Sequence, residues 1–246
     1  MTVLVLGGTT GLGRSLTYRL AKEGYSTVFT GRDKRDLDVT SNHLNLITPT
    51  KHFGLVLDLC DYNSISEFIY KLSKLDSGIT HIYLPIAETQ ENDTVCLDAS
   101  EVRRLVQANF SGIMEVMSGI LNECSTENLT NITGFGSVAS FSGRSKNVTY
   151  AASKRAQESY FESLILALAK SQISCHFFRL GYLETGKTRG MQLKLPKVST
   201  EKVAVYVLSK MNKSSRFYTF PRFWHPIGFV IRICPLSIRI WLDSIS

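Results

Sequence analysis

Residues 7 to 13 read Gly7-Gly8-Thr9-Thr10-Gly11-Leu12-Gly13, directly after an apolar run at residues 2–6 and directly before a helical pattern at residues 14–22. A strand that turns straight into a helix through glycines leaves few folds open. Glycine suits a backbone at positive φ, and it suits a place where a Cβ would hold a ligand away from the main chain. Amides at such a turn, with the positive end of a helix behind them, can hold a pyrophosphate. A spaced glycine set alone is often only a turn, so its meaning depends on the chain downstream of it.

Gly24 closes the first helix, and residues 26–30, rich in β-branched side chains, read as a second strand. This βαβ unit begins a parallel sheet. Further strands are expected at residues 54–58, 81–86, 129–133 and 173–178, with helices at 64–75, 99–124 and 150–170. Six strands alternating with helices predict an α/β fold, one doubly wound, Rossmann-type parallel sheet with helices on both faces. Residues 200–211 are again helical, and 216–220 form a short seventh strand that Pro221 ends. Residues 1–220 are therefore read as a single dinucleotide-binding and catalytic domain, and residues 221–246 as an amphipathic C-terminal extension.

A chain of 246 residues could hold one large domain or two small ones, so the pattern decides and the length does not. Its apolar fraction of 43% suffices for a core. The cysteines Cys60, Cys96, Cys124, Cys175 and Cys234 include no CxxC pair, so neither a zinc site nor a disulfide framework is expected. With an N-terminus that reads as a core strand instead of an export leader, a cytoplasmic setting is expected. The net charge of +7 comes from lysines and arginines spread along the chain, and no nucleic-acid partner is expected.

Tyr150-Ala151-Ala152-Ser153-Lys154 puts a phenol and an ammonium on one face of the helix that starts there. A phenol of pKa about 10 is a weak proton donor, and a neighbouring cation stabilises phenolate and brings the group toward the working pH. Ser137 falls just past a strand, where its hydroxyl can donate to an oxygen on which charge develops. At the end of the second strand stands Arg32, whose guanidinium suits a 2′-phosphate through bidentate, charge-assisted hydrogen bonds. The alternative is a solvated Arg32, with Asp33 setting the preference.

The spacing Gly-x-x-x-Gly-x-Gly at Gly7, Gly11 and Gly13, together with Ser137, Tyr150 and Lys154 downstream, resembles the short-chain dehydrogenase/reductase family, and the likeness runs over residues 3–185. The resemblance implies an oxidoreductase that interconverts a ketone and a secondary alcohol. Tyr150 would be its general acid and base, Ser137 would hold the substrate oxygen, and Lys154 would also hold the nicotinamide ribose. The coenzyme would rest on Gly7, Thr9, Thr10, Gly11, Leu12 and Gly13, with Asp58 and Leu59 as the acidic-apolar pair at the adenine. Gly181 and Thr185 would meet the nicotinamide side, and Asn109 would anchor a water on the proton-relay path. Arg32, where NAD-specific members usually carry an acidic residue, favours NADP(H) over NAD(H). Two departures stand out: Pro85-Ile86-Ala87-Glu88 replaces the usual Asn-Asn-Ala-Gly, so that only Ala87 survives, and Leu180 replaces a proline.

In the extension, Phe220-Pro221-Arg222-Phe223-Trp224 and Arg232-Ile233-Cys234-Pro235 are similar to a subset of these reductases acting on lipid-linked keto sugars. A lipophilic or lipid-linked ketone is the substrate this implies. The extension is too interrupted to span a membrane. It suits either a peripheral contact at the inner face of a membrane or the interface of a homodimer or homotetramer. Two other functions stay open: an epimerase or dehydratase on a nucleotide sugar, whose relatives are longer, and an NADP-binding scaffold or sensor without turnover.

Overall fold

The computed structural model describes residues 1–75, 78–188, 190 and 195–244. Its strands are β1 (Thr2–Val5), β2 (Ser26–Gly31), β3 (His52–Val56), β4 (Ile79–Leu84), β5 (Asn131–Ser137), β6 (Ser174–Leu180), β7 (Leu183–Glu184), β8 (Val198–Ser199) and β9 (Arg216–Phe220). Seven of them form one sheet in the order β3-β2-β1-β4-β5-β6-β9, and every pairing is parallel. The short strands β7 and β8 pair only with each other. The chain crosses from one half of the sheet to the other between β1 and β4, and ligands of such sheets bind outside the carboxyl ends of the strands at that crossing. β1 and β4 are buried along their whole lengths, and β1 accordingly shows no alternation of polar residues, while β4 takes Thr80 and His81 into the interior.

The helices are α1 (Gly11–Lys22), α2 (Lys34–Ile47), α3 (Tyr62–Ser73), α4 (Ala99–Val106), α5 (Gly112–Glu123), α6 (Val148–Ala167), α7 (Thr200–Leu208), α8 (Trp224–Ile233) and α9 (Leu236–Ser244). Successive strand residues feed opposite layers. Leu4, Leu6 and Ile82 join Phe68, Ile113, Val116 and Phe161 on the α3, α5 and α6 side. Val3, Val5 and Tyr83 join Leu16, Leu20, Leu44 and Val203 on the α1, α2 and α7 side.

The structure differs from expectation where a local pattern misleads. The expected strand at 129–133 is β5, which runs on to Ser137 through Gly134 and Gly136. Those glycines leave room for rings: a Cβ at Gly134 would lie 2.3 Å from Phe161, and one at Gly136 would lie 2.5 Å from Phe177. The long helix expected at 99–124 is split by a π-helical turn, Gln107–Ser111. Helix α2 has no counterpart in the sequence reading; among its largely polar residues only Leu37, Thr40 and Leu44 are buried. Asp33 caps it by accepting from Arg35 N at 2.7 Å, so that carboxylate has a structural role at the end of β2.

The extension folds back as α8 and α9. Trp224 packs with Val138 and Phe141, while Phe229, Val230, Ile233, Leu236, Ile240 and Trp241 are exposed. Among the described residues no helix is long and apolar enough to cross a membrane.

Candidate active site

Loops after β1, β4 and β6 converge at the crossing. Gly7 takes φ +73°, and its amide donates to Thr30 Oγ1 at 2.9 Å. A Cβ at Gly13 would sit 1.9 Å from Gly7 O, so the turn closes on itself only with glycine there. Thr10 precedes α1 without a side-chain cap, which leaves the helix end and its positive field to a ligand. Leu12 is buried under the turn, and Thr9 lies 3.0 Å from where a Gly31 Cβ would be. From the β6 side Thr185 comes within 3.8 Å of the Cβ position of Gly11, and from the β4 side Ile86 comes within 3.3 Å of that of Gly7. A glycine cradle that a Cβ would fill, on an uncapped helix end, fits a dinucleotide pyrophosphate.

The other expected coenzyme residues are arranged around this cleft. Asp58 follows β3, with its amide donating to Ser64 Oγ at 2.9 Å and its carboxylate accepting from Cys60 N at 2.9 Å. Leu59 beside it is buried, and Ala87 in the β4 loop is exposed. Arg32 projects with 67% of its side chain exposed. Gly181 is covered by the Trp224 indole, 2.3 Å from where its Cβ would be, and its amide donates to Phe220 O at 2.9 Å. Gly181 is thus the seam between the β6 loop and the extension.

Ser137 ends β5, and its Oγ accepts from Ala139 N at 3.1 Å, starting a short 3₁₀ turn at Val138–Phe141. Tyr150, in the first turn of α6, has its phenol beside the Ser137 side chain. Burial raises the pKa of the phenol, against the opposing pull of the Ser137 hydrogen bond and the Arg144 charge. This corrects the expectation that the ammonium brings the phenol down. Lys154 is 1% exposed, and its Nζ donates to Ile86 O at 2.7 Å, Phe135 O at 3.2 Å and Gln157 Oε1 at 2.9 Å. The cation is held by these three oxygens, and burial lowers its own pKa to about 7. Asn109 lies in the π turn, and its Oδ1 accepts from Glu88 N at 2.8 Å while its Nδ2 donates to Glu88 O at 2.9 Å. Its side chain is therefore engaged by the β4 loop, whose Ile86 carbonyl in turn holds Lys154. A π turn inside a helix frequently marks a functional site.

Several residues of this site have no counterpart in the sequence reading. Asp93, 1% exposed, caps α6: its carboxylate accepts from Thr149 N at 2.8 Å and from Tyr150 N at 2.7 Å. Gln157 and Glu158 continue the inner face of α6. Glu158 accepts from Ser140 Oγ at 2.7 Å, from Arg179 Nη2 at 2.8 Å and from Arg232 of α8. Burial alone would raise the Glu158 pKa, but these hydrogen bonds and the Arg179 charge hold it below the ordinary value. Ser140 Oγ also lies 2.8 Å from Ser137 O, so a chain of contacts runs from the extension to the backbone of Ser137. The one sequence signal for Glu158 is its position, two helical turns beyond Tyr150; Asp93 has none.

Residues 1–195 match the family described as short chain dehydrogenase. The chain belongs to that family, and it is an oxidoreductase that uses a nicotinamide cofactor. It is 22% identical over 192 residues to the 3-oxoacyl-acyl-carrier-protein reductase FabG of Buchnera aphidicola, covering 78% of this chain and 77% of that protein. The Haemophilus influenzae reductase of the same name is 25% identical over 186 residues, 75% of each chain. Among solved structures, a short-chain dehydrogenase from Sphingobium yanoikuyae in complex with NADPH superposes with a TM-score of 0.79 at 20% identity, covering 99% of this chain and 95% of that one. The bulky-bulky ketone specific alcohol dehydrogenase from Comamonas testosteroni gives 0.79 at 20% identity, covering 99% and 93%.

Proposed function

We propose that this protein reduces a bulky, apolar ketone to a secondary alcohol, with NADP(H) as its coenzyme. The observation that carries the reading is the Tyr150 phenol beside the Ser137 side chain, with Lys154 one helical turn beyond it. The phenol holds its proton at neutral pH and can donate it to a carbonyl oxygen, although burial makes it a weaker acid than the free group. The Ser137 hydroxyl is within reach of the same oxygen and stabilises charge gathering there. Bound dihydronicotinamide supplies the hydride. Lys154, fixed by Ile86 O and Phe135 O, would hold the nicotinamide ribose from the inner face of α6.

Two observations support the finer points. Arg32 directly follows β2, where a 2′-phosphate would gain charge-assisted hydrogen bonds, and neighbouring Asp33 is engaged in capping α2. Beside Ser137, Val138, Phe141 and Trp224 with Tyr182 and Ile227 form an apolar cluster, which suits a lipophilic substrate, lipid-linked ones included. The reductases and the ketone-specific dehydrogenase to which the chain is similar act, by their names, on carbonyl compounds or alcohols.

The test is NADPH oxidation against a panel of ketones from short polar to long apolar, with and without detergent, beside Tyr150→Phe. The expected result is turnover that rises with apolar length and disappears in the variant. Turnover by Tyr150→Phe equal to wild type, or none with any ketone despite tight NADPH binding, would overturn the proposal, the second outcome favouring a sensor without turnover.

A further inference from the structure

The β4 loop carries a carboxylate, Glu88, where the resemblance leads one to expect glycine, and the structure directs it toward the end of β2. Its main chain is clamped on both sides by Asn109, so the side chain starts from a fixed point. Glu88 Oε2 lies 3.9 Å from Arg32 Nη2, and Glu88 Oε1 lies 3.2 Å from Arg104 Nη1. Arg104 is further held by Glu101 at 2.8 Å and by Gln90 at 3.4 Å. Arg32 follows β2, Asp58 follows β3 and Glu88 follows β4, so the group lies at the carboxyl ends of these strands.

We infer that Glu88 is a built-in competitor for the 2′-phosphate of NADP(H): its carboxylate stands between Arg32 and Arg104 and must give way when the phosphate arrives. The inference rests on the reading of Arg32 as the phosphate contact. A phosphate monoester carries close to two negative charges near neutrality, and a carboxylate next to its guanidinium partner both occupies that partner and repels the newcomer. NAD(H) presents a ribose hydroxyl at the same place and meets no such repulsion. Glu88 therefore lowers NADPH affinity selectively and narrows the discrimination that Arg32 provides. Arg104 is the second guanidinium of the phosphate site and holds Glu88 when it is displaced.

The experiment measures NADPH and NADH dissociation constants by fluorescence titration for wild type, Glu88→Gln, Arg32→Ala and the double variant, at low and high salt. Glu88→Gln, nearly isosteric and with its backbone still held by Asn109, is expected to tighten NADPH about three- to tenfold and to leave NADH within about twofold, the magnitude of a partly exposed charge pair. Salt should shrink the gain, and in the Arg32→Ala background it should fall to the part that comes from repulsion and from Arg104. An unchanged NADPH-to-NADH ratio in Glu88→Gln overturns the inference while leaving Arg32 its role. Weaker NADH binding in Glu88→Gln overturns it too, by making the carboxylate a partner of the ribose hydroxyls. If Arg32→Ala leaves the ratio at its wild-type value, the coenzyme reading falls and the inference with it. Glu88→Ala repeats the comparison without the amide, and thermal melting of each apo variant checks its fold.

Discussion

The two ends of the site are built on opposite terms. At the coenzyme-phosphate end, Arg32 is 67% exposed and meets Glu88 at 3.9 Å, a loose pair that water screens. At the catalytic end the supporting groups are out of water: Lys154 and Asp93 at 1% exposure, Gln157 at 0% and Glu158 at 7%. Each of those groups is held by named partners, with Lys154 and Glu158 making three contacts apiece. A phosphate is recognised well enough by mobile charges in solvent, whereas proton transfer needs a donor fixed to within a fraction of an ångström. Substitutions at the catalytic end should therefore change rates and stability, and those at the phosphate end should change coenzyme affinity alone.

The largest test of that contrast is Tyr150→Phe. Removing the phenolic oxygen while keeping the ring should lower kcat by about 10²- to 10⁴-fold, the range of a positioned acid, and leave the NADPH dissociation constant within about twofold. A comparable loss of NADPH affinity would show that the two ends are not separable. The next effect is on stability. The Lys154 pKa falls from its ordinary value to about 7 in the folded chain because the ammonium is buried. Above pH 7 the unfolded chain then holds a proton that the folded chain lacks, so stability rises with pH by up to about 1.4 kcal/mol per unit. Below pH 7 both states are protonated, and the full cost of burying the charge is present. Urea unfolding of the apo protein from pH 6.5 to 8.5 should show this slope in wild type and lose it in Lys154→Met. Parallel slopes would mean that the three oxygens fully offset burial, and that the catalytic end is as relaxed as the phosphate end.

The sequence is legible where function is written at short range. The glycine turn, the i,i+4 pair Tyr150 and Lys154, and the apolar strand β1 each announce themselves within a few residues. Strand β5 reads too short because Gly134 and Gly136 look like a turn when taken alone, and only the Phe161 and Phe177 rings lying over them explain their presence. Helix α2 escapes a periodicity reading because its one buried stripe is interrupted by Thr40 amid charged and amide side chains. What supports the catalytic groups is long-range: Asp93 reaches Tyr150 across 57 positions and Arg232 reaches Glu158 across 74. No local spacing encodes such contacts. The direction of the Tyr150 pKa is hidden for the same reason, since burial by the assembled fold is what raises it.

Asp93→Ala probes that long-range support at its closest approach to the chemistry. It strips the cap from Thr149 N and Tyr150 N and should cost about 1–2 kcal/mol of stability, a typical value for a lost cap. With the first turn of α6 freed, kcat should fall about tenfold while NADPH affinity holds. Asp93→Asn, which keeps one acceptor, should recover part of both. A stability loss with unchanged kcat would make the cap structural only.

The smallest effect is expected from the extension, and it asks whether residues beyond 220 are a separate appendage or part of the catalytic end. Arg232→Met keeps an unbranched stem but removes the guanidinium, and with it the hydrogen bond and charge at Glu158 and the contact with the Phe141 ring at 5.3 Å. Glu158 retains Arg179 and Ser140, and the Arg232 side chain is 38% exposed, so the loss should be about 1 kcal/mol. Because Ser140 bridges Glu158 to the backbone of Ser137, that loss should be accompanied by a fewfold fall in kcat, with NADPH affinity intact. Glu158→Gln, which weakens the same contact from the domain side, should reproduce the kcat effect. If Arg232→Met changes neither melting nor kcat, the extension only lies against the domain, and the rigid catalytic end stops at α6.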